Sequence, residues 1–375
     1  MKSILFFCTL FLSINVNAIN DNSLNDSSKN ENAINVTFIN PSIPGTAFWD
    51  RVTAIAKAAA QDLNINLTVV YGRDNRIFNL EAIQAVSSKS NKPDYLVFMP
   101  YDGNSELTFS TINNAKIPFI TLERTLLEEE HEFIKLPQQK YNYWLGEIFH
   151  DNIIAGELLA DSLIASIRHD RPHELLTIAG ISGSFSGESN QRNLGLEKSV
   201  AKHKNVKLLQ IVPAIWSRER SREIIHQLYR RFGHIDIAWT ASDGMALGVL
   251  DYLQSGYNNL NHQMKVGGID WTVEAIEMVN SNKLTATVGG HIFQTAWALI
   301  KIFDHHQNKN VFKKGADSKT YDLQLIDRNN IDQYYVLGQK VDWHRVDFKA
   351  FTLSATNQVN YDFDVKLLLK YLKEE

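Results

Sequence analysis

Charged and flat aromatic side chains recur just after short apolar runs in this chain. Phe48-Trp49 follow the run at 36–40, Tyr101-Asp102 follow 96–99, and Glu123-Arg124 follow 119–122. Further along, Arg192 follows 178–180 after a Gly/Ser-rich loop, Ile215-Trp216 follow Ile211, Ser242-Asp243 follow 238–241, and Asp270-Trp271 follow 266–269. The 7 Trp and 13 Tyr supply flat amphipathic surface of the kind that lines polar-ligand pockets. That chemistry is binding. A nucleophile elbow is missing, because Phe185 stands at the centre of Gly183-Ser184-Phe185-Ser186-Gly187 where a serine is required. The same stretch is neither a dinucleotide fingerprint nor a P-loop. The 12 His are scattered, and the adjacent His305-His306 would diverge on a helix rather than chelate as i,i+4 ligands do. We therefore expect no catalytic residues, no metal and no cofactor.

The elements that carry these residues alternate regularly. Apolar runs at 36–39, 67–71, 94–99 and 118–122 read as strands, with helices at 49–63, 78–88 and 105–114 between them. The rhythm restarts after Tyr143. Helices at 155–167, 190–202, 218–232, 246–256 and 272–280 alternate with strands at 175–179, 206–212, 235–239, 265–269 and 286–288, and a last helix spans 295–305. Wholly apolar strands between amphipathic helices indicate parallel sheets covered on both faces. Two such runs in succession predict an α/β protein of two doubly wound lobes. Ligands of such folds bind at the carboxyl ends of the strands, where the charged and aromatic residues fall.

The first 18 residues set the expected compartment. Lys2, an apolar stretch from Ile4 to Ile14 and a Val16-Asn17-Ala18 end form a secretory signal peptide. At about a dozen apolar residues the stretch is short for ~30 Å of hydrocarbon. Residues 19–35, rich in Asn, Ser and Asp, read as a flexible leader. The single cysteine, Cys8, lies within the apolar stretch, so the processed chain has no thiol and no disulfide. An exported protein without disulfides fits a bacterial periplasm. The formal net charge of -4 gives no basic excess for nucleic acid.

With these residues in view, the chain resembles the type I periplasmic binding proteins of the ribose- and galactose-binding group. The run Ala241-Ser-Asp-Gly-Met-Ala-Leu-Gly-Val-Leu250 carries most of the resemblance. It is supported by Ile117-Pro-Phe-Ile-Thr-Leu-Glu-Arg124, Gly267-Gly-Ile-Asp270, and Gly195 three residues after Arg192. The resemblance covers about residues 36–325. It implies two lobes joined by a three-stranded hinge, the first formed by 36–141 and 291–325, the second by 142–290 with part of 326–375. It implies ligand contacts at Phe48, Trp49, Asp102, Arg124, Arg192, Trp216, Ser242 and Asp270. Aromatic faces would stack on a sugar-like ring, and Arg and Asp would form charge-assisted bonds to hydroxyls. The implied role is a monomeric periplasmic solute-binding protein that delivers a small polar ligand, a sugar by type, to the membrane permease of an ABC transporter. The alternative is a sensor subunit that signals through a membrane histidine kinase or cyclic-dinucleotide enzyme.

The chain departs from the ribose-type pattern at Thr46 and Ser242, where Asn is usual, and at Gly290, where Gln is usual and His291 comes next. Its tail beyond Leu325 is long and aromatic, suited to packing along the hinge or to a partner surface. Several residues keep a second reading. Phe48-Trp49 also suit a hydrophobic staple for the following helix. Trp216 suits a core, and Asp270 a helix cap. Asp243 reads as an N-cap and is left out of the ligand set.

Overall fold

The computed structural model describes residues 33–373 except 124, 125, 127, 256–263, 317, 318 and 357. The expected signal peptide and Arg124 lie outside the described residues.

The first sheet is built from β1 (Ile34–Asn40), β2 (Ile65–Tyr71), β3 (Tyr95–Phe98), β4 (Phe119–Leu122) and β5 (Trp144–Ile148), in the order β2-β1-β3-β4-β5 and parallel throughout. Helices α1 (Ala47–Asp62), α2 (Arg76–Ser87), α3 (Ser105–Asn114) and α4 (Glu128–Ile134) connect them. Order begins earlier than the leader composition suggests. Ile34 is buried and pairs with Ile65, so residues 34 and 35 belong to β1.

The second sheet contains β6 (Leu176–Ser182), β7 (Val206–Pro213), β8 (Ile237–Thr240), β9 (Lys265–Ile269), β10 (Ala286–Gly289) and β11 (Gln324–Asp327), in the order β11-β10-β9-β8-β6-β7. Among the described strands only β11 pairs antiparallel, against β10. The helices of this half are α5 (Asn152–Arg168), α6 (Gly187–Lys202), α7 (Arg218–Phe232), α8 (Asp243–Gln254) and α9 (Val273–Asn280).

The chain changes sheet three times. It leaves the first sheet after Ile148, not at Tyr141, because β5 pairs with β4. Gly146 and Glu147 break the apolar run of β5, which hid it in the sequence. After β10 the chain returns as α10 (Gln294–His306), which packs on α1 and on β3, β4 and β5. It then crosses a third time to reach β11, so residues 324 and 325 lie in the second sheet rather than the first.

Helices α5 and α6 pack backbone to backbone, and glycine makes this possible. A Cβ on Gly156 would lie 2.1 Å from the Arg192 carbonyl oxygen, and one on Gly195 would lie 2.2 Å from that of Ile153. Asp151 caps α5 by accepting the N–H groups of Ile153 and Ile154 at 2.9 and 3.0 Å. The close contact seats α6, the helix that carries Arg192, against the capped α5.

The tail packs along the hinge side and touches both halves. Helix α11 (Ile331–Tyr334) and the turn at Tyr335–Gly338 lie on α9, whereas the turns at Trp343–Arg345 and Phe348–Phe351 lie on α1. Beyond α12 (Leu353–Thr356), Phe363 stacks on Trp297 of α10 at 4.6 Å, and α13 (Val365–Lys373) closes the described chain. Buried Asp304 of α10 accepts from the Leu353 and Ser354 N–H groups at 2.7 and 3.0 Å and from the Tyr361 hydroxyl at 2.9 Å. Arg51 of α1 donates to the Trp271 carbonyl at 2.5 Å and the Leu337 carbonyl at 2.6 Å, with its guanidinium 5.5 Å from the Trp343 ring centre. Burial pulls the Arg51 pKa down to about 10. The tail therefore ties α1 to the second half of the molecule.

Candidate functional site: a polar cleft between the sheets

The two sheets point the carboxyl ends of their strands toward one cleft. Several strand-end residues there have left-handed or otherwise positive φ: Glu123 at 64°, Trp216 at 60° and Asp270 at 141°. Such backbone is uncommon for residues with side chains and persists where surrounding packing enforces it. Here it turns these side chains off the ends of β4, β7 and β9.

Arg192 organises the second half of the cleft. It is 4% exposed. Its Nε donates to Asn152 Oδ1 and its Nη1 to the Ala241 carbonyl, both at 2.8 Å. Its Nη1 is 3.8 Å from Asp270 Oδ1, and its guanidinium stands 5.8 Å from the Trp216 ring centre. The Trp216 indole N–H donates to Ser184 Oγ at 3.2 Å. Trp216 is thus half-buried at the cleft rather than in a core.

The three crossings add residues that sequence reasoning left out of the site. The first carries His150, the second His291 and the third Tyr321. His150 Nδ1 is 3.2 Å from the Tyr321 hydroxyl, and His150 Nε2 is 3.1 Å from Asn152 Oδ1. Because Arg192 donates to Asn152 Oδ1, that atom is an acceptor and His150 Nε2 carries the hydrogen. Its Nδ1 then accepts from Tyr321. The His291 ring lies 5.0 Å from that of His150, and its Nε2 is 3.2 Å from Asp270 Oδ1. Glu123, 4% exposed at the end of β4, places Oε2 3.7 Å from His150 Nε2 and has no hydrogen-bond partner for that oxygen.

Burial controls the protonation of this cluster. It drives the His291 pKa down to about 3, against the pull of Glu123, and holds His150 well below its usual range. Both rings are neutral at pH 7. Asp270 is pushed up by burial, with Glu123 adding and Arg192 opposing. Tyr321 is pushed well above its ordinary value, again chiefly by burial.

The other expected residues take varied places. Phe48, on the first turn of α1, lies 4.7 Å from the His291 ring, and Trp49 meets Phe48 edge-on at 5.1 Å. Asp102 follows β3 and faces the start of α6, where the Gly187 N–H lies beside it. Burial first, then Glu188 and Glu130, raise its pKa to about 7. Ser242 is the N-cap of α8, accepting from the Met245 N–H at 3.3 Å. This corrects the reading of Asp243 as the cap. Asp243 is fully buried and accepts from the Thr272 N–H at 2.8 Å and the Thr287 hydroxyl at 2.7 Å. It braces the loop that presents Asp270.

Phe48, Arg192, Trp216 and Asp270 thus converge, whereas Trp49 backs Phe48 and Ser242 caps a helix. Glu123 stands in a run that the sequence singles out, and His291 stands beside a noted departure. His150 and Tyr321 sit on crossings without any motif. Among the described residues no His, Asp and Glu group is arranged to hold a metal, and no helix is long and apolar enough to cross a membrane.

Two lobes with parallel-dominated sheets, crossed three times around a polar cleft, define a type I periplasmic binding protein. The family profile described as a periplasmic binding protein domain matches residues 36–310. The chain belongs to that family, whose members bind substrates and are not enzymes. The ribose import binding protein of Escherichia coli strain K12 is 25% identical over 234 residues, covering 62% of this chain and 71% of the relative. A periplasmic sugar-binding protein from Pseudomonas fluorescens shares the fold with a TM-score of 0.78 at 23% identity, over 89% of this chain and 99% of that one. A periplasmic solute-binding protein of an ABC transporter from Actinobacillus succinogenes 130z, with bound D-allose, superposes with a TM-score of 0.69 at 19% identity, over 80% and 100% of the chains.

Proposed function

We propose that this chain captures a small sugar-like ligand in the periplasm and delivers it to the permease of an ABC transporter. The observation that carries the reading is the buried cluster of Glu123, Asn152, Arg192, Asp270 and His291 between two lobes. Its polar atoms include several without a partner in the protein, Glu123 Oε2, Asn152 Nδ2 and His291 Nδ1 among them. Buried polar atoms are rarely left unsatisfied unless something else completes them. Hydroxyls do so, and Phe48 and Trp216 offer flat faces for the apolar side of a ring. Membership of the family and the sugars named for its relatives support the same reading. Ligand uptake and release require the lobes to part, the hinge motion common to periplasmic binding proteins. Export rests on the amino-terminal sequence.

A thermal-shift screen of the purified chain against pentoses, hexoses and polyols tests this. A ligand at ~100 times its dissociation constant adds about 2.7 kcal/mol of stability, a shift of several degrees. A hit that is lost in Arg192→Ala supports the reading. A flat response to every sugar and polyol overturns it.

A further inference from the structure

Glu123 is an acid of this cleft with an unmet need. It is buried, its Oε2 has no partner, and the imidazole 3.7 Å away is held neutral. Its charge is felt by Glu188, Asp270, His291 and Tyr321.

The hydrogens of its neighbours are already allotted. Arg192 opposes the upward push on Asp270, and in its ionised form Asp270 accepts Nε2–H from His291, which leaves His291 Nδ1 as a buried lone pair without a partner. Asp102 Oδ1 is likewise buried without a partner. Among the described cleft residues, three acceptors (Glu123 Oε2, Asp102 Oδ1 and His291 Nδ1) thus face one unpartnered donor, Asn152 Nδ2. A hydroxyl brings one hydrogen and two lone pairs, whereas an ammonium brings three hydrogens and no lone pair.

Charge points the same way. The carboxyls of Asp102, Glu123, Glu188 and Asp270 surround the single described guanidinium, Arg192, and burial pushes Asp102, Glu188 and Asp270 up together. A ligand cation among these crowded carboxyls would favour their ionised forms and supply the pairing that a buried charge needs.

We propose that the ligand is an amino sugar or amino polyol, and that Glu123 and His291 Nδ1 receive its ammonium group. The proposal rests on the sugar-binding reading and names the substituent that the sugar carries. Glu123 supplies the charge, and His291, aligned by Asp270 and Phe48, supplies a directed lone pair.

Titration calorimetry of the full chain at pH 7 against matched pairs tests it: glucosamine with glucose, galactosamine with galactose, and mannosamine with mannose, alongside ribose, allose and myo-inositol. The expected result is that at least one amine binds ten-fold or more tightly than its neutral partner. That preference should vanish in Glu123→Gln and on N-acetylation of the ligand, a control that leaves the protein untouched. Neutral sugars or polyols that bind with no advantage to any amine overturn the proposal and leave the sugar reading standing. A preference that survives Glu123→Gln overturns the role of Glu123. Failure of every compound to bind overturns both readings.

Discussion

The Phe48 ring lies 4.7 Å from the His291 ring at a tilt of 37°, joining the first turn of α1 to the second crossing of the chain. The aromatic ring that the proposed function assigns to ligand stacking therefore also packs on the imidazole that faces Asp270. Phe48→Ala removes both effects. Aromatic pairs contribute about 0.5–1.5 kcal/mol beyond area burial, so affinity should fall by at least that much. Calorimetry on Phe48→Ala and Phe48→Leu checks it. Equal affinity in all three proteins would show that the ring only staples the helix.

Arg192→Ala strips the donors from Asn152 Oδ1 and the Ala241 carbonyl and leaves Asp270 without its nearest cation. Losing charge-assisted bonds at a buried site costs about 2–4 kcal/mol. We expect a loss of ligand affinity of that order. Arg192→Lys should recover only part of it, because an ammonium cannot span both acceptors. Full affinity in the lysine variant would refute the two-acceptor geometry.

Opposed titrations should shape the pH profile of stability. His291 has a folded pKa near 3, below its unfolded value, so the unfolded chain binds more protons between about pH 3 and 6.5. Its contribution is complete above pH 6.5 and is lost as pH falls. Asp102 runs the other way. Its folded pKa near 7 exceeds the unfolded value, so its contribution is present below about pH 4 and lost as pH rises toward 7. Asp102→Asn should therefore raise the melting temperature at pH 7.5, with the gain shrinking toward pH 4. Melting curves of both proteins across that range decide it, and a constant offset at all pH values would contradict the assignment.

Gly156→Ala and Gly195→Ala each drive a methyl into backbone of the facing helix, at 2.1 and 2.2 Å. Helices α5 and α6 must separate, which costs about 1–3 kcal/mol and moves Arg192. We expect lower stability together with weaker binding. Melting curves and calorimetry on each variant check this. Wild-type melting and affinity in either one would show that the two helices do not depend on contact at that glycine.

Trp297 is fully buried between Phe351 and Phe363, at 5.4 and 4.6 Å. Trp297→Ala should cost about 3–5 kcal/mol of stability, while the ligand affinity of the folded fraction stays unchanged. Chemical denaturation and calorimetry separate these effects. A small change in stability would mean that the tail packs only loosely on α10.

Much of the architecture is legible because burial on both sheet faces writes itself as apolar runs. Helices Ser105–Asn114 and Arg218–Phe232 and strand Lys265–Ile269 match the sequence periodicity to the residue. Strand β5 is hidden because Gly146 and Glu147 interrupt it. In the cleft, Arg192, Trp216 and Asp270 stand out because strand ends are where such folds place polar groups. His150 and Tyr321 do not, because a hydrogen bond across 171 residues leaves no local pattern. The exchange of roles between Ser242 and Asp243 has a similar cause. Either side chain can cap a helix, and only the distant Thr272 and Thr287 claim Asp243.

The bond from Arg51 to Leu337 spans 286 residues. During synthesis at about 5–20 residues per second, Arg51 waits roughly fifteen seconds to a minute for the carbonyl that completes its pairing. The outer side of α1 stays uncovered for longer, since Trp343 and Phe348 arrive later still. A chain cut before Leu337 should thus retain every residue of the cleft and still lack the means to finish its first lobe.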